Sequence, residues 1–356
     1  MKTTPQKLSS TDASPSQLGY RMPAEWQRHE ATWLTWPQNA ETWPGDKILR
    51  VEEIYLQMLE ALLPHEKVHL FVQDEKEQEK VFGLLRNRKV HFKNLIPHIA
   101  NTVDTWIRDY GPTFVKKKDG TKAWVKWIFN AWGGKYQDLA QDNQIFIRYQ
   151  TLVNASCFDA GFILEGGSIE VNGEGIVITT EQCLLNKNRN SHFSHEQIEQ
   201  NLKDYLGVNE IVWLKEGIEG DDTDGHIDDI VRFVNENTIV SAYEEDPSDN
   251  NHAILKANWE TLQDYSRAHK KNWNLVKLPM CGRVGDREGQ RLPASYANFY
   301  IANNVVLLPI YSHKNDKQTI DIITELFPTR TIVPIECTEL VYGMGSIHCV
   351  SQQEPI

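Results

Sequence analysis

The sequence lacks a long apolar run, closely spaced cysteines and a secretory signal. No hydrophobic stretch among its 356 residues approaches the about 20 residues of a transmembrane helix, so we expect a chain that does not enter a membrane. The five cysteines are scattered singly, which argues against a compact zinc motif and against a disulfide framework. The first residues lack the charged and then apolar pattern of a secretory signal, which predicts a reducing, cytoplasmic location.

The sequence also has fewer basic than acidic residues. The chain has 37 Lys and Arg against 49 Asp and Glu, which gives a formal net charge of -12. Nucleic acids and anionic membrane surfaces attract basic proteins, so this balance argues against both as partners. It favours a cationic small molecule instead.

The remaining composition is typical of a globular enzyme with a large core. Residues 1–18 are rich in Ser, Thr, Pro and Gln, and they predict a disordered polar tail. No linker interrupts 19–356, which we therefore interpret as a single catalytic domain. Trp26, Trp33, Trp36 and Trp43 are expected to contribute to its core, and the alternatives are a pocket wall or a subunit contact. The sequence leaves open whether the chain forms a homo-oligomer.

Helical and strand-like patterns alternate along the chain, which predicts a mixed α/β fold. Helices are predicted at 47–63, 74–86, 194–206, 252–269 and 316–326. Short runs rich in β-branched residues follow them and predict strands. Two β-hairpins are predicted, at 169–178 and 298–308, because strand-like runs there flank Gly- or Asn-containing turns.

Polar strand-and-turn units recur along the sequence without repeating the same residues. They are marked by Asp109, Glu165, Asp228, Asn298 and Cys349. Their spacing of roughly 50 to 70 residues exceeds that of most solenoid repeats but suits a blade built from several elements. Five such units suggest a closed ring.

The segment 343–353 places Cys349 in a short apolar run that is entered from glycines. A thiolate is nucleophilic near neutral pH and also leaves well, which makes this cysteine a candidate nucleophile. The alternative is that Cys349 is a small buried hydrophobe, which is the common role of a free cysteine. We expect that role for the other four cysteines.

His226 and Asp228 lie two residues apart in a β-branched run. In an extended strand both side chains leave the same face, so they could share one pocket. The alternative is an exposed strand end with solvated acids. The same alternation should turn His348 away from the thiol of Cys349, which leaves His226 as the better candidate for a base.

Two further acids lie where strand-like runs give way to turns. Asp109 precedes a Tyr-Gly-Pro turn, and Glu165 precedes two glycines that would permit close approach of a ligand or another strand. The structural alternatives are a turn-capping aspartate paired with Arg108 and an ordinary Gly-Gly turn. Neither acid by itself indicates a particular function.

A thiol surrounded by carboxylates limits the kinds of substrate that it could attack. Neighbouring carboxylates raise the pKa of a thiol, which opposes catalysis unless the substrate itself brings positive charge. A guanidinium brings that charge, binds carboxylates through paired hydrogen bonds and has an electrophilic carbon. A cysteine protease would instead need an oxyanion hole for a neutral carbonyl. A zinc site built from His226, Asp228, Asp222 and Cys349 lacks the usual ligand spacing.

Four motifs in order strengthen this interpretation. They are WIRDYGPT at 106–113, LEGGSI at 164–169, GDDTDGHID at 220–228 and GSIHCVSQQ at 345–353. Together they resemble the agmatine deiminases of the bacterial-type peptidylarginine deiminase family, and the likeness extends from about Met22 to Pro355. The resemblance implies a pentein fold, which is a five-bladed α/β propeller with pseudo-fivefold symmetry, and it implies neither a metal nor an organic cofactor.

The resemblance also implies roles for particular residues. Cys349 resembles the nucleophile, His226 the general acid/base, and Glu165 the acid that orients His226. Asp109 and Asp228 resemble the pair that grips the guanidinium.

Two further positions are similar to substrate-binding positions of the family. Asp222 would bind the far ammonium of agmatine, and Trp106 would form a wall of the channel. The chain departs from the family's usual three glycines and an asparagine at Met344 and Ser346, close to the thiol.

The function implied is hydrolysis of agmatine to N-carbamoylputrescine and ammonia through a covalent thiouronium on Cys349. A free- or peptidyl-arginine deiminase is an alternative, but it needs a cation to recognise the substrate's carboxylate. The sequence cannot place the candidate cations Arg232, Arg283 and Arg291, and Arg108 should alternate away from the site. The sequence also leaves open a non-catalytic polyamine-binding protein and an enzyme that transfers the amidino group to an amine.

Overall fold

The computed structural model describes residues 13–148, 150–153 and 155–356, and within them helices and strands alternate as the sequence predicts. The α-helices are α1 Lys47–Leu62, α2 Glu75–Asn87, α3 Ile107–Tyr110, α4 Ala131–Gly134, α5 Ile145–Arg148, α6 Glu181–Leu184, α7 His195–Leu206, α8 Asn251–Ala268, α9 Asp316–Leu326 and α10 Thr338–Val341. Short 3-10 helices span Leu139–Gln144, Gln150–Leu152, Gly166–Ser168 and Ile227–Asp229. The five helices predicted from the sequence are confirmed to within one residue at each end.

The strands are short and are distributed along the whole of the described chain. They are β1 His29–Thr35, β2 Lys67–Val72, β3 Leu95–Ile99, β4 Thr113–Lys116, β5 Lys122–Ile128, β6 Ser156–Ile163, β7 Glu170–Val171, β8 Ile176–Thr180, β9 Glu210–Leu214, β10 Val231–Asn235, β11 Thr238–Tyr243, β12 Asn274–Pro279, β13 Asp286–Arg287, β14 Gln290–Arg291, β15 Tyr300–Ile301, β16 Val305–Ile310, β17 Thr331–Glu336 and β18 Ser351–Pro355. Both predicted hairpins are confirmed, as β7–β8 and β15–β16.

One pairing pattern recurs in the sheets. In β4–β5–β6, β7–β8–β9, β10–β11–β12 and β15–β16–β17 the first pair is antiparallel and the second is parallel. The sheet β18–β1–β2–β3 follows the same rule and adds one more parallel strand. The last strand of the chain therefore pairs with the first.

Helix α7 shows how local sequence fixes an element. The Ser194 hydroxyl accepts a hydrogen bond from the Gln197 backbone N–H, and the Gln197 side chain accepts one from the Ser194 N–H at 2.7 Å. This capping box begins the helix, and Gly207, at φ 68°, ends it in the left-handed conformation. The buried face consists of residues four apart, Ile198, Leu202 and Leu206.

The structure bears differently on the predictions of a polar tail at 1–18 and of core tryptophans. Residues 1–12 lie outside the described residues, whereas the backbone N–H of Ser16 donates to the Asp204 carbonyl at 2.9 Å. Trp33, Trp36 and Trp43 are fully buried, so the expectation of core residues is confirmed for them. No helix in the described ranges is long and apolar enough to cross a bilayer.

A buried charged network centred on Glu25 joins several sheets. One carboxylate oxygen accepts from Arg232 at 2.7 Å and from the Ile301 N–H at 2.8 Å. The other accepts from Arg108 at 3.3 Å and lies 2.8 Å from Nε2 of His348. Burial alone would raise the pKa of Glu25, but Arg232, His348 and Arg108 hold that pKa well below its usual value. The network thus holds the neighbours of Asp109 and Cys349 in place.

Removing the centre of this network should be costly. We expect Glu25→Ala to lower the free energy of unfolding by about 3–5 kcal/mol, because it leaves buried cations without their counter-ion. Urea unfolding of the purified protein measures this change. The control is Glu30→Ala, whose exposed pair with Lys67 should contribute about 0–1 kcal/mol. Equal effects of the two substitutions would contradict the assignment.

Candidate active site

The residues singled out in the sequence stand at equivalent places in the fold. Asp109, Glu165, Asp228, Asn298 and Cys349 each lie a few residues before the first strand of one sheet, namely β4, β7, β10, β15 and β18. Each of these five sheets therefore has one of these polar side chains in the segment before its first strand, whereas the two-stranded sheet β13–β14 has none of them. The recurring spacing in the sequence has this structural cause.

The local conformations differ from those expected. His226 is followed by the 3-10 helix Ile227–Asp229, so the prediction of an extended strand at these residues is wrong, and β10 begins only at Val231. Asp109 lies in the helical turn α3 rather than at the end of a strand, and Cys349 lies in a turn before β18. Side-chain alternation in a strand therefore does not explain how these groups meet.

Three of the groups converge on Gly167. Its backbone N–H donates to Asp109 Oδ1 at 2.9 Å. A Cβ atom at this position would lie 2.5 Å from His226 Nδ1, 3.0 Å from Asp109 Oδ1 and 3.1 Å from Asp228 Oδ2. The structure thus brings His226, Asp109 and Asp228 together around a residue that must be small.

Asp109 is enclosed by hydrogen-bond donors and acids. Its second oxygen, Oδ2, accepts from the Trp132 indole N–H at 2.8 Å, and its Oδ1 lies 3.9 Å from His226 Nδ1. Burial, followed by the charges of Asp228 and Glu165, raises the pKa of Asp109 well above its usual value. Such clustering of like charge stabilises a bound cation. Trp132 was missed in the sequence because no short motif contains it.

The thiol of Cys349 is buried among polar groups. Its Sγ lies 3.1 Å from the Asn298 amide nitrogen and 3.7 Å from Asp228 Oδ2. Burial, followed by the charges of Asp228, Asp229 and Asp109, raises the pKa of this thiol well above its ordinary value. Sequence reasoning marked Asn298 as part of the repeat but not as a neighbour of the thiol.

Asp228 is held by a histidine. Nδ1 of His348 lies 2.7 Å from Asp228 Oδ2, and the other ring nitrogen faces Glu25. Burial alone would raise the pKa of Asp228, but the hydrogen bond and charge of His348 bring that pKa below its usual value. The ring of His348 lies between two carboxylates, as would suit a positioning residue.

Glu165 and His226 keep free hydrogen-bonding capacity. Glu165 Oε1 accepts from Arg189 Nε at 2.7 Å, whereas Glu165 Oε2 and His226 Nε2 have no hydrogen-bond partner among the described residues. Burial lowers the pKa of His226 to about 4, so its ring is neutral near pH 7. A neutral ring with an unused nitrogen can accept or deliver a proton.

A cavity of about 230 Å³ leads from the exterior to Asp109 and Cys349. Asp109 and Cys349 line it and are buried, whereas Glu41, Tyr136 and Asp138 line it and are exposed. The volume is below the about 300–1,000 Å³ of sites for drug-sized ligands. The cavity therefore suits a small ligand, and the acids that line it, Glu41, Asp109, Asp138 and Asp222, favour a cation.

Asp222 and Trp106 also line this cavity. Asp222 accepts a hydrogen bond from the Tyr136 hydroxyl, and burial raises its pKa. Trp106 packs against Gly345, where a Cβ atom would lie 2.5 Å from the indole carbon Cζ3. Of the residues expected to bind substrate, Asp109, Asp222 and Trp106 thus line the cavity, whereas Asp228 does not line it and contacts the thiol of Cys349.

The two departures from the family's motif have different positions. Met344 lines the cavity and adopts a positive φ of 77°, which is uncommon for a residue with a side chain. Ser346 is buried, and its hydroxyl lies 3.3 Å from the Tyr311 hydroxyl.

The arginines considered from the sequence are engaged elsewhere. Arg232 pairs with Glu25 and Glu170, Arg108 pairs with Glu25, and Arg291 pairs with Glu219 and Asp249. Arg283 donates to the Gly289 carbonyl at 3.2 Å. Arg287, which was not considered, lines the cavity.

Comparisons with known proteins identify the family of this chain. The model of the Porphyromonas-type peptidyl-arginine deiminase family matches residues 21–355. This chain belongs to that family. A relative from Legionella pneumophila is 36% identical over 97% of each chain.

Solved structures similar to this chain have the same mixed α/β fold. The agmatine deiminase of Enterococcus faecalis is 31% identical, with a TM-score of 0.87 over 97% of this chain and 98% of that chain. A cysteine-to-serine variant of the C. jejuni agmatine deiminase with substrate bound is also 31% identical, with a TM-score of 0.80 over 94% of this chain and 96% of that chain.

The convergence on Gly167 can be tested in this family member. We expect Gly167→Ala to destabilise the fold by about 1–3 kcal/mol, because the added methyl group overlaps His226, Asp109 and Asp228. Gly83→Ala is the matched control, since a methyl group there meets open space in helix α2 and should stabilise by up to about 1 kcal/mol. Urea unfolding of both variants gives the comparison. A neutral Gly167→Ala would show that the three groups are not packed around this glycine.

The raised pKa of Cys349 predicts a pH dependence. Alkylation of Cys349 by neutral iodoacetamide should be slow at pH 7 and should accelerate as pH rises above the ordinary thiol pKa of about 8.5, because only the thiolate reacts. Asp228→Asn should move the midpoint to lower pH by removing a neighbouring negative charge. Peptide mass spectrometry over a pH series measures the rate.

The control for this series is Asp246→Asn, a substitution of an exposed acid that should leave the midpoint unchanged. A midpoint at or below the ordinary thiol pKa in the unsubstituted protein would contradict the electrostatic account of the site.

Proposed function

We propose that this protein hydrolyses agmatine to N-carbamoylputrescine and ammonia. The observation that carries the proposal is a buried thiol, Cys349, at the inner part of a narrow cavity beside Asp109 and Asp228. Carboxylates beside a nucleophile are useful when the substrate is a cation. The proteins of Enterococcus faecalis and C. jejuni with the same fold are described as agmatine deiminases, which supports the choice of substrate.

Substrate would bind with its guanidinium between Asp109 and Asp228. Two carboxylates can pair with the planar cation and present the face of its carbon to the sulfur of Cys349. The far ammonium would lie toward Asp222, and Trp106 would line the aliphatic part. The cation also offsets the charges that raise the pKa of Cys349, so substrate binding favours the thiolate.

The first chemical step forms a carbon–sulfur bond. The Cys349 thiol gives its proton to the neutral His226, and the thiolate attacks the guanidinium carbon. His226 then donates that proton to the departing nitrogen, which leaves as ammonia. A covalent thiouronium remains on Cys349, and Glu165 would orient His226 during the transfer.

The second step consumes water. His226 removes a proton from water as the oxygen attacks the thiouronium carbon, and the carbon–sulfur bond then breaks. The product leaves as the ureido compound, and the thiol of Cys349 regains a proton. No metal or organic cofactor enters either step.

We further propose that the sheets form a five-bladed pentein propeller in one catalytic domain spanning 19–356. Five sheets with one pairing rule, each preceded by a polar residue of the site, support this arrangement.

We also propose that the protein is located in the cytoplasm. The five free thiols, all in the described part of the chain, support a reducing compartment.

Deimination of arginine is a second candidate because Arg287 lines the cavity. Its guanidinium could pair with the α-carboxylate that arginine has and agmatine lacks. The small volume of the cavity argues against an arginine held within a peptide. Turnover of agmatine, arginine and a blocked arginine peptide under the same conditions separates the candidates, and we expect the highest kcat/KM for agmatine.

The nucleophile can be tested directly. We expect Cys349→Ala to lower ammonia release from agmatine by about 10³-fold or more, because the covalent route is lost. Cys157→Ala is the control, since that buried cysteine does not line the cavity. Ureido-product formation is the assay. Turnover by Cys349→Ala at the rate of the unsubstituted protein would refute the mechanism.

A further inference from the structure

We propose that Glu165, Cys183 and His226 form a binding site for a divalent ion of the zinc class, and that the bound ion inhibits the enzyme. One ligand atom from each residue lies within 4.8 Å of the other two. The binding itself is independent of the proposed function, whereas the inhibition rests on it.

The three ligands come from separate segments that the fold brings together. Glu165 precedes β7, Cys183 lies in helix α6, and His226 precedes the 3-10 helix Ile227–Asp229. Because the three residues are far apart in the sequence, they form no compact ligand motif. Sequence reasoning assigned Cys183 the role of a small buried hydrophobe.

Two orphaned polar atoms point to a missing ligand. Glu165 Oε2 and His226 Nε2 have no hydrogen-bond partner among the described residues, although the side chains are 0% and 2% exposed. A buried polar atom without a partner costs free energy, which a metal–ligand bond would recover. Cys183 is also fully buried and adds a soft sulfur ligand.

The ligand set selects the class of ion. Thiolate, imidazole and carboxylate together suit zinc and similar transition metals, whereas magnesium and calcium prefer oxygen ligands alone. Around one zinc ion such atoms lie roughly 3.3–3.7 Å apart, which follows from bond lengths of about 2.0–2.3 Å. Side-chain movements of about 1 Å would therefore close the site from the separation in the structure.

Arg189 limits how strongly the site attracts cations. Its guanidinium holds Glu165 Oε1 at 2.7 Å and donates to Asp224 at 2.8 Å, so Oε2 of Glu165 stays available. Its positive charge also opposes a dication, and Cys183 would offset that charge only after losing its proton on binding the metal. Such a balance suits reversible binding of an inhibitor rather than a permanent structural ion.

Inhibition follows from the residues that the ion would occupy. A ring nitrogen of His226 bound to metal cannot transfer the proton, and Glu165 can no longer orient that ring. The nucleophile Cys349 is a different thiol and would remain free. This feature separates the proposed site from simple capture of metal by the nucleophile.

The binding test uses Co²⁺ as a spectroscopic substitute for Zn²⁺. We expect Cys349→Ala to give the near-ultraviolet thiolate-to-cobalt absorption at one equivalent, and we expect Cys183→Ala to lose it. A band that persists in Cys183→Ala, or the lack of a band in Cys349→Ala, would overturn the site. Cys183→Ser is a second variant of nearly unchanged volume and should also lose the band. This assay needs no substrate, so its result does not depend on the proposed function.

The inhibition test titrates Zn²⁺ into the agmatine assay, with each variant normalised to its own rate in chelator. We expect the Zn²⁺ concentration for half inhibition to rise at least about tenfold in Cys183→Ala and Cys183→Ser, since one of three ligands is lost. Cys157→Ala should behave like the unsubstituted protein, and chelator should restore its activity. Equal sensitivity of the Cys183 variants and the unsubstituted protein would overturn the inhibition.

Discussion

The contact between Asp228 and the thiol of Cys349 is the interaction on which the rest of the site depends. Asp228 Oδ2 lies 3.7 Å from the sulfur and 2.7 Å from a ring nitrogen of His348. His348 keeps the pKa of Asp228 low despite burial, and the resulting negative charge helps to raise the pKa of the thiol. A bound cation would offset the negative charges that raise the pKa of this thiol. In the mechanism we propose, the charge of the substrate therefore activates Cys349.

The scaffold stabilises this charge with a layer of buried ion pairs. Glu25 contacts His348, Arg108 and Arg232, and these residues reach segments from opposite ends of the chain. Buried charges are tolerated only when paired, so the network fixes the relative positions of the site's neighbours. Gly167 then allows the acids and His226 to meet at contact distance. The close approach of the site's acids to His226 thus depends on the Glu25 network and on the packing around Gly167.

The sequence predicted the regular elements better than the local conformation of the site. Helical periodicity located α1, α2, α7, α8 and α9, and turn residues located the two hairpins, because these signals are local. The extended strand expected at His226 and Asp228 is a 3-10 helix. The two side chains nevertheless meet at Gly167. Both residues lie in the segment just before β10.

Other neighbours of the site could not be predicted from short motifs. Asn298, Trp132, Arg287 and Cys183 reach it through tertiary packing between distant segments. The most direct measurement is a crystal structure of Cys349→Ala with agmatine. We expect the guanidinium to lie between Asp109 and Asp228, with its carbon facing residue 349. A guanidinium bound instead near the exposed acids Glu41 and Asp138 would contradict it.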